Sequence, residues 1–132
     1  MHDEFGLTYE KRWLERFALS YYGCCEPLHN KLDILESIPN LRKISISPWA
    51  NAAIAGERMR GKYVVSLKPS PAFLAGASFD LALAEADLRE KLGNLKGCCV
   101  EVILKDISTV HGKPERLWKW MDMAMNVVRE FE

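Results

Sequence analysis

The chain has 132 residues, and its 18 basic and 18 acidic side chains give a formal net charge of zero at pH 7. A neutral chain without a stripe of Lys and Arg gives no support for nucleic-acid binding, and it lacks the basic patch of a membrane-surface protein. Apolar runs such as residues 100–104 are far shorter than the ~20 residues of a membrane-spanning helix. Residues 1–4 are acidic and have no signal-peptide pattern, so we expect a cytoplasmic protein.

Helical and β-prone segments alternate along the sequence. Thr8 can cap a first helix that runs to about Phe17, and Pro114 can begin a last helix that runs to about Phe131. Between these two helices, each β-prone segment is followed by a segment with helical periodicity. The predicted strands are 18–22, 42–47, 63–68 and 99–105, and the intervening helices are 31–38, 51–60 and 78–95.

Several of the predicted helices carry apolar stripes. On the helix predicted over 78–95, Leu81, Leu88, Leu92 and Leu95 lie close to one stripe. Tyr9, Trp13 and Phe17 recur every four residues on the first helix and give it an aromatic stripe. The last helix repeats apolar residues at a similar spacing. The buried face predicted for it consists of Leu117, Met121, Ala124, Val128 and Phe131.

This order, one extra N-terminal helix and then four βα units, predicts a single α/β domain over residues 1–132, with a parallel sheet and right-handed crossovers. Four βα units are half of a (βα)₈ barrel, which needs eight strands. A half barrel leaves two unpaired strand edges, which invite pairing with another chain. We therefore expect either an independent open sheet or two copies that close into one barrel as a homodimer.

The four cysteines form two adjacent pairs, Cys24 with Cys25 and Cys98 with Cys99. Adjacent cysteines are not a disulfide framework, and they do not have the CxxC spacing of zinc or redox sites. Reduced thiols are expected in a cytosolic protein. Cys98 and Cys99 begin the fourth predicted strand, and we assign them to packing.

Functional groups of parallel α/β proteins gather at the carboxyl ends of the strands. Cys24, Cys25 and Glu26 follow the first predicted strand, and we interpret them as catalytic, with the two thiols as candidate metal ligands. The alternative is that one thiol packs inward and Glu26 caps the next helix. No histidine has a metal-ligand spacing to these thiols.

The other strand ends supply further candidates. Lys68 is a candidate catalytic residue that could pair with a substrate carboxylate or with Glu26, although a solvated strand-end lysine is an equal alternative. Asp106 is a candidate catalytic residue that could orient a ligand or a partner lysine, or cap its own loop. The candidate substrate-binding residues at these ends are Ser47, Trp49, Asn51 and Ser108.

Four segments resemble a known family. Residues 22–28 (YGCCEPL), 38–51 (IPNLRKISISPWAN), 68–72 (KPSPA) and 103–109 (ILKDIST) look like the C-terminal half of a bacterial group within the uroporphyrinogen decarboxylase superfamily. That group is related to corrinoid-dependent methyltransferases and to cobalamin-independent methionine synthase. The resemblance runs from about residue 9 to the end and implies a (βα)₈ barrel whose last four strands lie in this chain.

The resemblance also implies a chemistry. In the zinc-dependent methyltransferase branch, a His-x-Cys motif and a further cysteine near the last strand end hold zinc, which activates a thiol for methyl transfer. Cys24 or Cys25 matches the cysteine of the motif, whereas Tyr22 or Gly23 stands where its histidine is expected. Residues 105–109, after the last strand, contain no cysteine. The key arginine and aspartate of the decarboxylase branch belong to the N-terminal half, which this chain lacks.

From the residues and the resemblance together, we expect a methyltransferase-like or decarboxylase-like half barrel that is active only with a second chain. That chain would be another copy or a complementary N-terminal half barrel. The implied cofactors are zinc and a corrinoid carried by a partner protein. The alternative is a non-catalytic fragment that serves as a dimeric structural or interaction module.

Overall fold

The computed structural model describes residues 2–132, with the side chains of residues 4–132. Part of the signal-peptide prediction depends on Met1 and on the side chains of His2 and Asp3. These lie outside the described residues. None of the helices in the described part of the chain is both long and apolar enough to cross a membrane. The elements are a π-helical turn (His2–Leu7), α1 (Thr8–Leu14), β1 (Ser20–Tyr22), a 3₁₀ turn (Leu28–Asn30), α2 (Leu32–Leu35), β2 (Leu41–Ile46), α3 (Ala52–Met59), β3 (Val64–Leu67), α4 (Ala72–Ala75), α5 (Leu81–Asn94), β4 (Cys99–Val102) and α6 (Glu115–Glu130).

The four strands form one sheet in the order β1-β2-β3-β4, and every neighbouring pair is parallel. Lys43 of β2 is opposite Val64 of β3, which in turn is opposite Cys99 of β4. This arrangement confirms the predicted α/β class, the parallel strands and the additional N-terminal helix. The half barrel stays a prediction.

The two faces of the sheet differ in chemistry. Successive strand residues point to opposite faces, and Ile44, Ile46, Val65 and Leu67 are fully buried on the face that the helices cover. Parallel sheets are usually covered on both faces. Here the opposite face, which we call the open face, is polar instead of apolar. Its side chains include Tyr21, Lys43, Ser45, Ser66, Lys68 and Glu101.

Side-chain caps mark the starts of two helices, α3 and α5, that cover the apolar face of the sheet. The side chain of Asn51 accepts a hydrogen bond from the Ile54 amide at the start of α3, and Asp80 accepts one from the Leu83 amide at the start of α5. The two helices pack closely because Gly56 has no side chain: a Cβ there would lie 2.3 Å from the Asn94 carbonyl oxygen. The predicted leucine stripe of α5 is confirmed, since Leu88, Leu92 and Leu95 are buried.

Several predicted boundaries are wrong. β1 begins at Ser20 instead of residue 18, and α2 ends at Leu35 instead of residue 38. Two further differences have clear physical reasons. α1 ends at Leu14 instead of Phe17, because the Asn40 side chain donates hydrogen bonds to the carbonyl oxygens of both residues, at 2.6 Å each, and turns the chain towards β1. β4 ends at Val102 instead of residue 105, because its partner β3 ends opposite Val102. Helix α4, in the loop after β3, is not foreseen by the sequence.

The predicted buried face of α6 is also wrong in part. α6 packs mainly on α5, with Arg116, Trp120, Met123, Ala124 and Val127 buried. Leu117, Met121 and Phe131, which the periodicity places inside, are exposed. They line an apolar groove of about 1,010 Å³ between α6 and β4, called the α6 groove below. Its other apolar walls include Leu92, Leu95, Val100, Val102, Leu104, Met125 and Val128.

Candidate functional site

A polar cavity lies at the carboxyl ends of the strands, on the open face of the sheet. Its volume is about 240 Å³, which suits a ligand smaller than the drug-sized molecules that fill ~300–1,000 Å³. Five of the nine predicted site residues line it, namely Cys24, Cys25, Ser47, Lys68 and Asp106. The remaining lining residues are Tyr21, Gly23, Ser45, Leu104 and Lys105.

The thiol turn after β1 meets the loop after β4 in this cavity. Lys105 Nζ donates hydrogen bonds to Cys25 Sγ at 3.3 Å and to Asp106 Oδ1 at 3.1 Å. The bonds to Asp106 and Cys25 raise the pKa of Lys105, and the ammonium group in turn holds the pKa of Asp106 below its usual range. Lys105 thus places a positive charge beside the Cys25 sulfur. Cys25 is exposed at the cavity, whereas Cys24 is half-buried and packs against the core.

Tyr21 forms the floor of the cavity. Its hydroxyl group donates to Ser66 Oγ at 3.3 Å, and the ammonium groups of Lys43 and Lys68 lie 4.7 and 5.9 Å from its ring centroid. Burial opposes ionisation of the phenol, but hydrogen bonds with Ser66, Ser45 and Lys68 outweigh it. The pKa of Tyr21 is therefore below its ordinary value.

An ion pair extends the polar surface across the open face. Lys43 Nζ on β2 lies 2.9 Å from Glu101 Oε1 on β4, without the alignment of a hydrogen bond. Lys43, and after it the hydroxyl group of Ser66, holds the pKa of Glu101 below its usual value. Charges and hydroxyl groups thus continue from the cavity over all four strands.

The other four predicted site residues lie outside the cavity. Glu26 forms an ion pair with Lys31, and its carbonyl oxygen accepts a hydrogen bond from Ser47 Oγ at 3.3 Å. The side chain of Asn51 is engaged in capping α3. Trp49 is 70% exposed, and Ser108 is exposed in the loop after β4.

The thiols do not form a metal site with other groups in the described part of the chain. A structural zinc ion takes four ligands and a catalytic one takes three from the protein. Among the residues that the structure describes, no group of three or more His, Cys, Asp or Glu side chains could hold a metal ion. The Asp106 carboxylate, which also lines the cavity, bonds to Lys105. The residues present therefore do not fit the zinc site that the resemblance implies.

Three polar lining side chains, those of Tyr21, Ser45 and Lys105, were missed by sequence reasoning. Ser45 could have been found, because it alternates with Ile44 and Ile46 and is two residues before Ser47, on the same face. Lys105 lies three residues after the end of β4 and is next to Asp106, which the sequence does identify. Tyr21 was ambiguous, because β1 has only three residues and its pairing with β2 is irregular between Ser20 and Tyr21.

The adjacent cysteines before β4 differ from each other. Cys98 packs against the core and donates a hydrogen bond from its thiol to the Gly56 carbonyl oxygen at 3.4 Å. Cys99 is exposed. The packing assignment is therefore right for Cys98 and wrong for Cys99, which supplies an accessible thiol outside the cavity.

Comparisons of the chain with protein-family profiles, with curated proteins and with solved structures gave no match. The resemblance to the uroporphyrinogen decarboxylase superfamily therefore stays a prediction that depends on the four sequence segments.

Proposed function

We propose that this chain is a half barrel of the uroporphyrinogen decarboxylase superfamily, similar to its methyltransferase branch, and that a second chain completes its active site. One observation carries the proposal. Cys25, Lys68 and Lys105 come from the ends of three different strands and meet in one cavity on the open face of a parallel sheet. That edge is where parallel α/β enzymes have their active sites.

The cavity is suited to a small anionic substrate. The ammonium groups of Lys68 and Lys105 line it, and the hydroxyl groups of Tyr21, Ser45 and Ser47 offer further donors. Cationic donors with adjacent hydroxyl groups recognise carboxylate or phosphate oxygens through charge-assisted hydrogen bonds. Asp106 also lines the cavity and bonds to Lys105, so its carboxylate offsets part of the positive charge there.

Cys25 is the nucleophile in this proposal. Its sulfur attacks a methyl carbon of the donor, the S–C bond forms, and the bond between that carbon and the donor breaks with its electron pair remaining on the donor. The thiol proton is released to solvent. The resemblance indicates a corrinoid on a partner protein as the donor, while the residues of this chain contribute the acceptor sulfur and the neighbouring cation.

A second chain is part of the proposal because the charged side chains of the open face are partly accessible, above buried serines. The side chains of Lys43 and Glu101 are 30% and 35% exposed. The interior of a (βα)₈ barrel is filled by layers of bulky branched side chains. Two half barrels closing over this face would enclose a polar, hydrated interior instead.

The test uses the two exposed thiols as each other's control. The protein is incubated with methylcobalamin in the dark, and methylation of each cysteine is followed by peptide mass spectrometry. Cys25 is expected to be methylated faster than Cys99, and Lys105→Met is expected to slow Cys25 alone. Equal rates at Cys25 and Cys99, or no effect of Lys105→Met, would refute the proposal.

A non-catalytic module is the second candidate function. It is favoured by the missing third metal ligand and by the four predicted site residues that lie away from the cavity. In that case neither thiol is methylated above the rate of a free cysteine peptide, while the chain still associates with its partner.

A further inference from the structure

The chain exposes two apolar helical surfaces that the sequence pattern marks as packing faces. The first is the stripe of Tyr9, Trp13 and Phe17 on α1 and the turn after it, called the aromatic stripe below. These side chains are 60%, 64% and 62% exposed. The second is the α6 groove, whose wall on α6 includes the exposed Leu117 and Met121. Large apolar patches of this kind mark interaction surfaces.

The two surfaces lie at opposite edges of the sheet. α1 is attached beside β1, since Tyr22 donates a hydrogen bond to Glu10 at 2.7 Å and Asn40 binds the Leu14 carbonyl oxygen. The α6 groove lies beside β4, because Val100 and Val102 form its floor. β1 and β4 are the two edge strands, so each has one side without a strand partner within the described sheet.

Charged groups that can pair lie at matching ends of the two surfaces. Arg12 and Arg16 lie over the rings of Tyr9 and Trp13, at 5.8 and 4.5 Å, at the end of α1 that leads into the start of β1. The end of the α6 groove near Gly97 is lined by Lys96, Glu130 and Glu132. Glu130 is paired with Arg89, which leaves the Glu132 carboxylate beside the Lys96 ammonium group at this end. Placing β4 parallel to the β1 strand of another copy would therefore bring arginines to a carboxylate.

We propose that the α6 groove receives the aromatic stripe of a second copy of this chain. In this arrangement β4 of each copy lies beside β1 of the other, and a two-fold axis repeats the contact so that both edges are covered. α6 leaves room for this helix because it packs mainly on α5. The inference rests on the proposed function only for the need of a second chain, and it identifies that chain as another copy.

The area is sufficient for a stable dimer. Aromatic side chains bury ~150–250 Å² each, so side chains that are about 60% exposed can still bury roughly 90–150 Å². Three of them in two equivalent contacts, with the matching area of the groove, bury about 1,100–1,800 Å² in total, close to the ~1,200–2,000 Å² of stable interfaces.

Sedimentation velocity at micromolar concentration tests the docking. Wild type is expected to be a dimer, and Trp13→Glu on the stripe and Met121→Glu in the groove are each expected to give monomers with an unchanged far-ultraviolet circular dichroism spectrum. Trp49→Ser, which removes an equally exposed aromatic side chain outside both surfaces, is the matched control and should stay dimeric. A monomeric wild type, an open larger assembly, or a dimer unaffected by Trp13→Glu overturns the proposal.

Charge reversal tests the pairing itself. Arg16→Glu and Glu132→Arg are each expected to weaken the dimer at least severalfold, and the double variant is expected to recover most of the loss. No recovery in the double variant would contradict the parallel arrangement. Methylation of Cys25 is measured separately, so a dimer without methylation refutes the proposed function and leaves the docking intact. Selective methylation in a protein that remains monomeric refutes the docking, and it keeps the role of Cys25 while removing the need for a second chain.

Discussion

Lys43 and Glu101 form an ion pair that passes over the intervening strand β3, with Nζ and Oε1 2.9 Å apart. The pKa of Glu101 is lowered in the folded protein, chiefly by Lys43. A carboxyl group with a depressed folded pKa stabilises the fold above its unfolded pKa, and this contribution is lost as the pH falls through the folded value.

We therefore expect Glu101→Gln to lower the free energy of unfolding at neutral pH by up to ~1 kcal/mol, as is typical of partly exposed pairs. The difference from wild type should shrink below about pH 4.3, where the carboxyl group of the unfolded chain becomes protonated. Urea unfolding at neutral and acid pH measures this difference in the free energy of unfolding. Glu57→Gln, on the exposed side of α3, is the control. An equal loss at both pH values would contradict the ion-pair interpretation.

Cys25 is expected to prefer anionic reagents. An ammonium group ~4 Å away contributes about 1 kcal/mol in water, or about five-fold in rate, towards a negatively charged reagent. The rate ratio of iodoacetate to iodoacetamide should therefore be about five-fold higher at Cys25 than at Cys99. Lys105→Met should remove most of this preference at Cys25 and leave Cys99 unchanged. Similar ratios at both thiols would show that the cavity does not attract anions.

Gly56 and Gly93 should respond in opposite ways to alanine. A Cβ at Gly56 would lie 2.3 Å from the Asn94 carbonyl oxygen, and overpacking of this kind costs ~1–3 kcal/mol. Nothing lies within 4 Å of a Cβ at Gly93, inside α5, so Gly93→Ala should stabilise the helix by about 0.5–1 kcal/mol. Thermal unfolding of the two variants measures the difference, and a neutral Gly56→Ala would mean that α3 and α5 can separate without cost.

Arg116 should be the most important polar residue of α6 for stability. Its buried guanidinium group donates to the carbonyl oxygens of Leu74 and Gly76, at 2.7 Å each, and of Ala77 at 3.2 Å. Arg116→Met leaves these oxygens without their donor, and we expect a loss of about 2–3 kcal/mol.

Lys119→Met, an exposed change three residues further along α6, is the control for this measurement and should alter stability by less than ~0.5 kcal/mol. Urea unfolding compares the two variants. If both lose the same amount, the loop after β3 is not held by the guanidinium group.

Much of the fold could be predicted because local signals agree with the tertiary structure. The helices predicted over 51–60 and 78–95 are present as α3 and α5, which begin at side-chain caps of Asn51 and Asp80. The alternation of Ser45 and Ser47 with Ile44 and Ile46 indicates a strand with one apolar face, as observed in β2. Strand-end reasoning likewise brought five of the nine predicted site residues to one cavity.

The remaining differences between the predicted and the observed structure arise from long-range contacts. The periodicity of the sequence does not reveal such contacts. α6 has apolar residues on two sides, and only its packing on α5 decides that Trp120 and Met123 are buried while Leu117 and Met121 line the groove. The contact of Lys105 with Cys25 joins residues that are 80 positions apart. No local pattern could have indicated that contact.

The sequential strand order has a consequence for folding. Because each strand pairs with the next one along the chain, the sheet can be assembled one βα unit at a time, with short loops closed at every step. β2 and β3 each have two strand neighbours, whereas β1 and β4 each have one. In an isolated chain the amide protons of the two outer strands should therefore exchange with solvent before those of the central pair.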